Sequence, residues 1–330
     1  MKQYNYFFGV DISKKTVDIS LLYMQSLTHR KFSNDQGGMD ALLEWLKELA
    51  IVKAETIFCM EATGLYCFTL TNFLASGNID VWVEHAANIK KATALARGKN
   101  DKVDSHRIAV YCSKNVEKIR LWKPMDATIE KIKNLASLRD RLVETQKRLI
   151  IPINEFEDIG NHEMAKLLRK TIKKSITAIE TDLKATEVKI IEIVNADENL
   201  KQLYKIITSV VGIGFVTAVN LIIHTNGFSI MNDTRKLACY CGVAPFEYTS
   251  GTSIRGKTKV HYMANKKLKC NLHMASLSAV KLDGDIKAYY ERKVAEGKNK
   301  MSVLNAVKNK LLARVVTCVN NQREYVKKAA

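Results

Sequence analysis

Four carboxylates in the first third of the chain have the types and positions for metal chemistry. Asp11 sits at the close of the apolar run NYFFGVDI (5–12), and Glu61 closes TIFCME (56–61). Asp101 and Asp104 stand three residues apart in KNDKVDSHRIA (99–109). An i,i+3 pair shares one face of a helix. If the first and fourth strands are neighbours and the helix packs against them, four carboxylates converge. They would repel one another unless a cation neutralised them. A ligand set of hard oxygens suits Mg²⁺ or Mn²⁺. Two such ions can clamp the attacking and leaving oxygens of a phosphodiester. Taken singly, each carboxylate reads as readily as a helix cap, a dipole partner or a solvated charge. The ordered set is the more specific signal.

Positioning those groups needs a sheet and a helix, and the pattern predicts both. Residues 5–12, 15–23 and 27–33 are aromatic and β-branched runs with turn-like breaks, the signature of three short strands. GGMDALLEWLKELA (37–50) has leucines at helical spacing. A buried-type strand (56–61), a helix ending at Gly77 (65–77) and a strand (79–85) follow. Helices are then expected from Asn88 and over 102–113. The order βββαβαβα predicts a mixed sheet covered by helices.

Beyond this the composition changes. Residues 126–205 hold one proline, and their apolar residues recur at near-heptad spacing (Ile176, Ile179, Leu183, Ile190, Val194). Two long helices joined near 152–161 are expected, packed as a hairpin in one chain or as a dimerising coiled coil. Residues 206–224 read as two apolar helices around Gly-Ile-Gly. A Cys- and Gly-rich patch and basic helices run from there to the end. The expected division is therefore 1–120 (α/β), 121–205 (helical spacer) and 206–330 (mostly α).

Charge separates the regions further. The 330 residues carry a net charge of +18, and the last 81 hold 18 basic and five acidic side chains. Such a surface points to a polyanion, most simply nucleic acid. No uncharged apolar run is long enough for a membrane span, and an early Asp argues against a signal peptide. Seven cysteines without a CxxC pair argue for a reducing cytoplasm over a disulfide framework. His106 reads as a helix-surface residue, Cys239 and Cys241 as core packing, and Tyr4, Tyr6 and Trp82 as core or strand residues. VGIGF (211–215) is either a phosphate-binding helical hairpin or a tight turn that needs glycine.

GVDISK (9–14), MEATG (60–64) and KNDKVDSHRIA, together with VVGIGFVTA (210–218) and YCGVAPFEYTSGTSIRG (240–256), resemble a known family. They are similar to the DEDD transposases of the Piv/MooV type, insertion-sequence recombinases that act with a bridge RNA. The resemblance spans nearly the whole chain. It implies an N-terminal RuvC-like, ribonuclease-H-like domain in which Asp11, Glu61, Asp101 and Asp104 are the metal ligands. It also implies a serine nucleophile in the basic C-terminal domain. Ser250 is the matching position, and Ser253, three residues on in the same loop, is its competitor. Arg255, Lys257 and Lys259 then alternate past the serine, and Lys266, Lys267 and Lys269 follow, all expected nucleic-acid contacts. Where many members carry Ser-Lys-Arg-Gly-Asn, this chain has VHYMANKKLK (260–269), of which Asn265 and Lys269 match.

The implied activity is Mg²⁺-dependent recombination of donor and target DNA through a covalent serine–DNA link. A dimer pairing into a tetramer would carry it out in the bacterial cytoplasm, at the nucleoid. Serine and carboxylates lie far apart in the chain, so the active site is expected to be composite. A RuvC-like nuclease or junction resolvase using water would need the carboxylates without Ser250. A non-catalytic nucleic-acid-binding protein would need neither.

Overall fold

The computed structural model describes residues 2–62, 64–92, 100–251, 253–282 and 284–326, without the side chains of Ser250, Ile254 and Lys257. By packing they divide into two units, Met1–Pro124 and Met125–Ala330.

The first unit is built on a five-stranded sheet. In chain order it comprises β1 (Tyr6–Ile12), β2 (Thr16–Tyr23), β3 (Ser26–Ser33), α1 (Gln36–Glu48), β4 (Thr56–Glu61), α2 (Phe68–Ser76), β5 (Asp80–Glu84), α3 (Ala86–Ala92) and α4 (Asp101–Lys114). The strands lie in the order β3-β2-β1-β4-β5. The three N-terminal strands form an antiparallel meander, while β4 and β5 run parallel to β1. Period-two alternation gives the sheet two different faces. Phe8, Val10, Ile19, Phe58, Met60 and Val81 point to one side, where Leu42 and Trp45 of α1 and Leu70 and Leu74 of α2 cover them. Ile57, Cys59 and Trp82 point to the other, against Ile108, Tyr111 and Cys112 of α4.

Gly9 sets how closely α4 approaches. A Cβ there would stand 2.1 Å from the Ala109 nitrogen and 2.2 Å from the Ser105 carbonyl oxygen. Backbone therefore rests on backbone, a contact that only glycine permits. One strand over, Ser20 and Ser105 share a buried hydrogen bond of 2.6 Å that pins the helix to β2.

The second unit begins with two long helices, α5 (Ala127–Asp158) and α6 (His162–Ala196). They pack as a hairpin within one chain. Pro152 lies inside α5, so the joint falls only at Ile159–Asn161. The first turns of α5 and the last of α6 place Ile129, Ile132, Ile190 and Val194 in a single core with residues up to Val319. The helical spacer and the basic C-terminal segment thus belong to one compact body.

That body continues with α7 (Glu198–Ser209), α8 (Phe215–Thr225) and α9 (Thr234–Tyr240). A two-stranded ribbon follows, β6 (Phe246–Ser250) and β7 (Ile254–Lys259), then α10 (Lys266–Leu282), α11 (Gly284–Ala295) and α12 (Lys300–Asn320). The ribbon is an addition to the mostly helical expectation for this region. No helix among the described residues is long and apolar enough to cross a membrane.

Candidate functional site

Strand register assembles the site. Lys31 of β3 pairs with Asp18 of β2, Asp18 pairs with Asp11 of β1, and Glu61 of β4 pairs with Glu84 of β5. The β1–β4 pairing of Val10 with Met60 carries the row across from Asp11 to Glu61. Directly paired residues share a face, and this face is the one α4 covers. One row thus crosses all five strands as Lys31, Asp18, Asp11, Glu61 and Glu84.

The N-terminus of α4 joins this row. Asn100 caps the helix by accepting from the Lys102 N–H at 3.0 Å, and Asp101 and Asp104 occupy the first turn. The partial positive charge of a helix N-terminus favours carboxylates there. Because Gly9 seats Ser105 and Ala109 directly on β1, the turn before them reaches toward Asp11, two residues further along the strand.

Electrostatics report the convergence. The Asp11 carboxyl is pushed up to about 6 by its burial, then by the negative charges of Asp101, Asp104, Asp18 and Glu61. The flanks of the row are already compensated. Asp18 is bound by His29 Nε2 at 2.9 Å and Lys31 Nζ at 3.1 Å. Lys31 also stands 3.8 Å from Asp101, and the Asp18 carboxylate holds its ammonium above the usual lysine value. Glu84 accepts from the His85 N–H, Asn88 and Tyr111. Asp104 pairs with Arg107 at 2.9 Å. Among the described residues, Asp11 and Glu61 have no such partner.

A hard cation fits this donor set: every central side chain offers carboxylate oxygens, and the mutual repulsion is what positive charge would relieve. No three His, Cys, Asp or Glu side chains among the described residues stand close enough together to hold a metal ion as they are. Asp18 and Glu84 were not singled out by sequence, because only register reveals them. His106 is not a surface residue. It is half-buried with its Nε2 unpartnered, edge-on to His29, and burial holds its pKa down.

The ribbon of the second unit presents the other expected group. The Ser250 backbone ends β6 opposite Ile254, and Gly251 turns the chain at φ +53°. The Ser250 and Lys257 side chains lie outside those described. Ser253 is in the exposed turn, and Arg255, Lys259 and Lys266 are exposed. Lys267 is held in an ion pair with Asp140 of α5. Lys269 is half-buried, its Cδ 3.4 Å from where a Cβ on Gly242 would sit. In the VGIGF turn, Gly212 adopts φ +94°, and a Cβ there would lie 2.6 Å from the Ala275 carbonyl oxygen. The glycine thus serves a close approach to α10. Asn265 caps α10 and lies with Tyr240 and His224 in a half-buried polar cluster.

Comparison with known proteins decides the family. Residues 8–156 match a DEDD family of the IS110 kind described as "Transposase", and residues 204–291 match the "Transposase IS116/IS110/IS902 family". Together the matches span more than two thirds of the chain. The chain belongs to the IS110-type transposases. It is therefore an enzyme of DNA strand cleavage and rejoining. Among its relatives, the "Pilin gene-inverting protein" of Moraxella bovis is 25% identical over 325 residues, 98% of each chain. The Moraxella lacunata protein of that name matches to the same extent. An "Insertion element IS110 uncharacterized 43.6 kDa protein" of Streptomyces coelicolor is 29% identical over 134 residues, 41% of this chain and 32% of the relative. The first family match covers the carboxylate row and α4, and the second covers the ribbon.

Proposed function

We propose that this IS110-type transposase mobilises an insertion sequence by site-specific recombination, through a covalent serine–DNA link and under the guidance of a bridge RNA. The observation that carries the reading is the carboxylate row. Asp11 and Glu61 stand uncompensated at its centre, and Asp11 is raised to about 6 by burial and by the surrounding carboxylates. The strand order, with β2 antiparallel and β4 and β5 parallel to β1, supports a ribonuclease-H-like, RuvC-like domain.

In this reading Asp11, Glu61, Asp101 and Asp104 hold Mg²⁺, or Mn²⁺ in its place. An ion held there would supply Lewis-acid polarisation of the scissile phosphate and ease deprotonation of the attacking hydroxyl. The Lys31 ion pair and the His29 hydrogen bond hold Asp18 in place beside Asp11. The N-terminal dipole of α4 steadies Asp101 and Asp104. The Ser250 Oγ–P bond forms as one P–O ester bond of the DNA breaks, and the departing oxygen takes up a proton in place of the one serine loses. The link conserves the ester, so rejoining is the same exchange in reverse with another DNA hydroxyl. Arg255, Lys257, Lys259, Lys266 and Lys269 serve phosphates; Lys267 does so once released from Asp140.

Recombination between two sites in opposite orientation inverts the segment between them, the outcome that the names of the Moraxella relatives describe. The structured RNA would be held mainly by shape and phosphate. Ile151, Ile159 and Leu167 are exposed near the far turn of the α5–α6 hairpin, which supports a helical contact between copies in a dimer that pairs into a tetramer. The setting would be the bacterial cytoplasm.

The test is a covalent-adduct assay. Wild type, Ser250→Ala, Ser253→Ala and Asp11→Ala meet element-junction DNA, Mg²⁺ and RNA transcribed from the element flank. A denaturing gel should show an adduct in wild type and Ser253→Ala only, mapping to Ser250 by mass spectrometry. Cleavage without adduct, surviving Ser250→Ala and lost in Asp11→Ala, would make the enzyme a hydrolytic nuclease.

A further inference from the structure

Tyr248 is an aromatic residue that the chemistry above leaves unused, and it stands two residues from Ser250. It lies in β6 with 69% of its surface exposed. A single exposed apolar side chain needs no explanation by itself. This one has a seat. Across the ribbon Tyr248 pairs with Gly256 of β7, where a Cβ would stand 2.8 Å from the Tyr248 Cδ1. Glycine within a strand packs nothing of its own and marks a place of close approach. One edge of the ring therefore rests over Gly256, while most of the side chain faces water.

Register relates this ring to Ser250. The strands pair without a break over Tyr248–Gly256, Thr249–Arg255 and Ser250–Ile254. Positions two apart in a strand lie on one face, about 7 Å from each other. Positions 248 and 250 thus share a face of the ribbon, and Thr249 and Arg255 belong to the other. Charge points to the occupant. Residues 246–259 hold Arg255, Lys257 and Lys259 against Glu247 alone, and Arg255 and Lys259 are exposed. An open aromatic ring with cations beside it fits a nucleotide, the ring taking the base and the cations the backbone phosphates. A base inside a duplex has both faces covered by its neighbours, so the matching base is an unpaired one.

We propose that Tyr248 stacks on one unpaired base of the DNA strand, next to the phosphate that Ser250 attacks, and so sets the place of that phosphate on the ribbon. The inference rests on the reading of Ser250 as the nucleophile. Tyr248 binds and orients the strand; no bond forms or breaks at it.

The experiment measures binding by anisotropy to full-length wild type, Tyr248→Leu and Tyr248→Phe. The probe is a labelled element-junction DNA in which mismatches leave the bases around the cleavage point unpaired, without Mg²⁺ so that no strand is cut. Matched probes carry an abasic site at each unpaired position in turn. Wild type should lose about tenfold in affinity when the base beside the scissile phosphate is removed. Tyr248→Leu should lose about tenfold on the intact probe and nothing further on that abasic one, because both changes delete the same contact. Tyr248→Phe should bind as wild type does. Equal binding by wild type and Tyr248→Leu overturns the proposal. So do two losses that simply multiply, the result expected if the ring only covers Gly256. A loss confined to RNA of the same sequence overturns it, as does a changed oligomeric state with DNA binding unaltered. The adduct assay on the same DNA, with Mg²⁺ and the flank RNA added, separates the two readings. An adduct at Ser250 together with any of these overturning results leaves the serine mechanism standing without this contact. No adduct at Ser250 brings down the serine reading, and this inference with it.

Discussion

The carboxylate row and the serine ribbon hold their groups by opposite means. The row is braced from every side, by a sheet partner on each flank, the Ser20–Ser105 bond and a helix lowered onto Gly9. Among the described residues the ribbon is two short strands with a bulge between Phe246 and Tyr248 and exposed aromatic residues at both positions. An isolated pair of strands is marginal in water. On the proposed reading, the difference teaches that metal ligands would need fixed mutual distances, whereas a nucleophile delivered to DNA could complete its geometry on the substrate. In the row, chemistry and stability oppose each other, because the clustered charges strain the fold. In the ribbon they are nearly independent.

Four measurements would break or sharpen this contrast. The largest effects are on turnover: Asp11→Asn and Ser250→Ala should each lower strand cleavage on junction DNA about 10³-fold or more. Gly9→Ala comes next, because a Cβ 2.1 Å from backbone must lift α4. Urea unfolding should show a loss above about 3 kcal/mol in the N-terminal unit. A loss below 1 kcal/mol would mean that the helix is not seated as described.

Third is pH dependence in metal-free protein. Asp11 has a folded value of about 6 against an ordinary 3.8, so the folded state binds more protons between those values. Stability from this group is therefore full below pH 4, falls as pH rises toward 6, and stays low above it. The whole shift equals about 3 kcal/mol, and solvent screening of a half-exposed group leaves about 1 kcal/mol. Asp11→Asn should accordingly raise the unfolding midpoint at pH 7.5 and give no advantage at pH 3.5. Ser250→Ala should move the midpoint at neither pH. The smallest effect is Gly251→Ala: nothing lies within 4 Å of a Cβ there, so only the φ of +53° opposes it, at about 1 kcal/mol.

Much of the N-terminal unit was legible because alternation writes a two-faced sheet directly into sequence. Phe8, Val10 and Ile12 face one core while Gly9 and Asp11 face the other, and each expected strand falls within a residue or two of its observed ends. Asp18 and Glu84 were not legible. Each sits in an apolar strand where a lone acid reads as a solvent-facing residue, and only pairing across β1, β2, β4 and β5 puts them in line. The ribbon was missed for a related reason. FEYTS and IRGKTK contain little that a core would bury, so the Gly, Ser and Thr content read as loop chemistry. The joint of the two long helices falls within the expected 152–161 stretch, at its far end, since α5 carries Pro152 and continues to Asp158.

The α5–α6 hairpin has a mechanical consequence. Its 32-residue first helix is a rod about 48 Å long. Ile129, Ile132, Ile190 and Val194 clamp one end into the shared core. Such a beam is a cantilever, and a tilt of about 5° at the clamp sweeps the far turn through about 4 Å. Whatever grips that turn therefore has leverage over the clamp, and a small adjustment in the core becomes a large excursion where copies of the chain would meet.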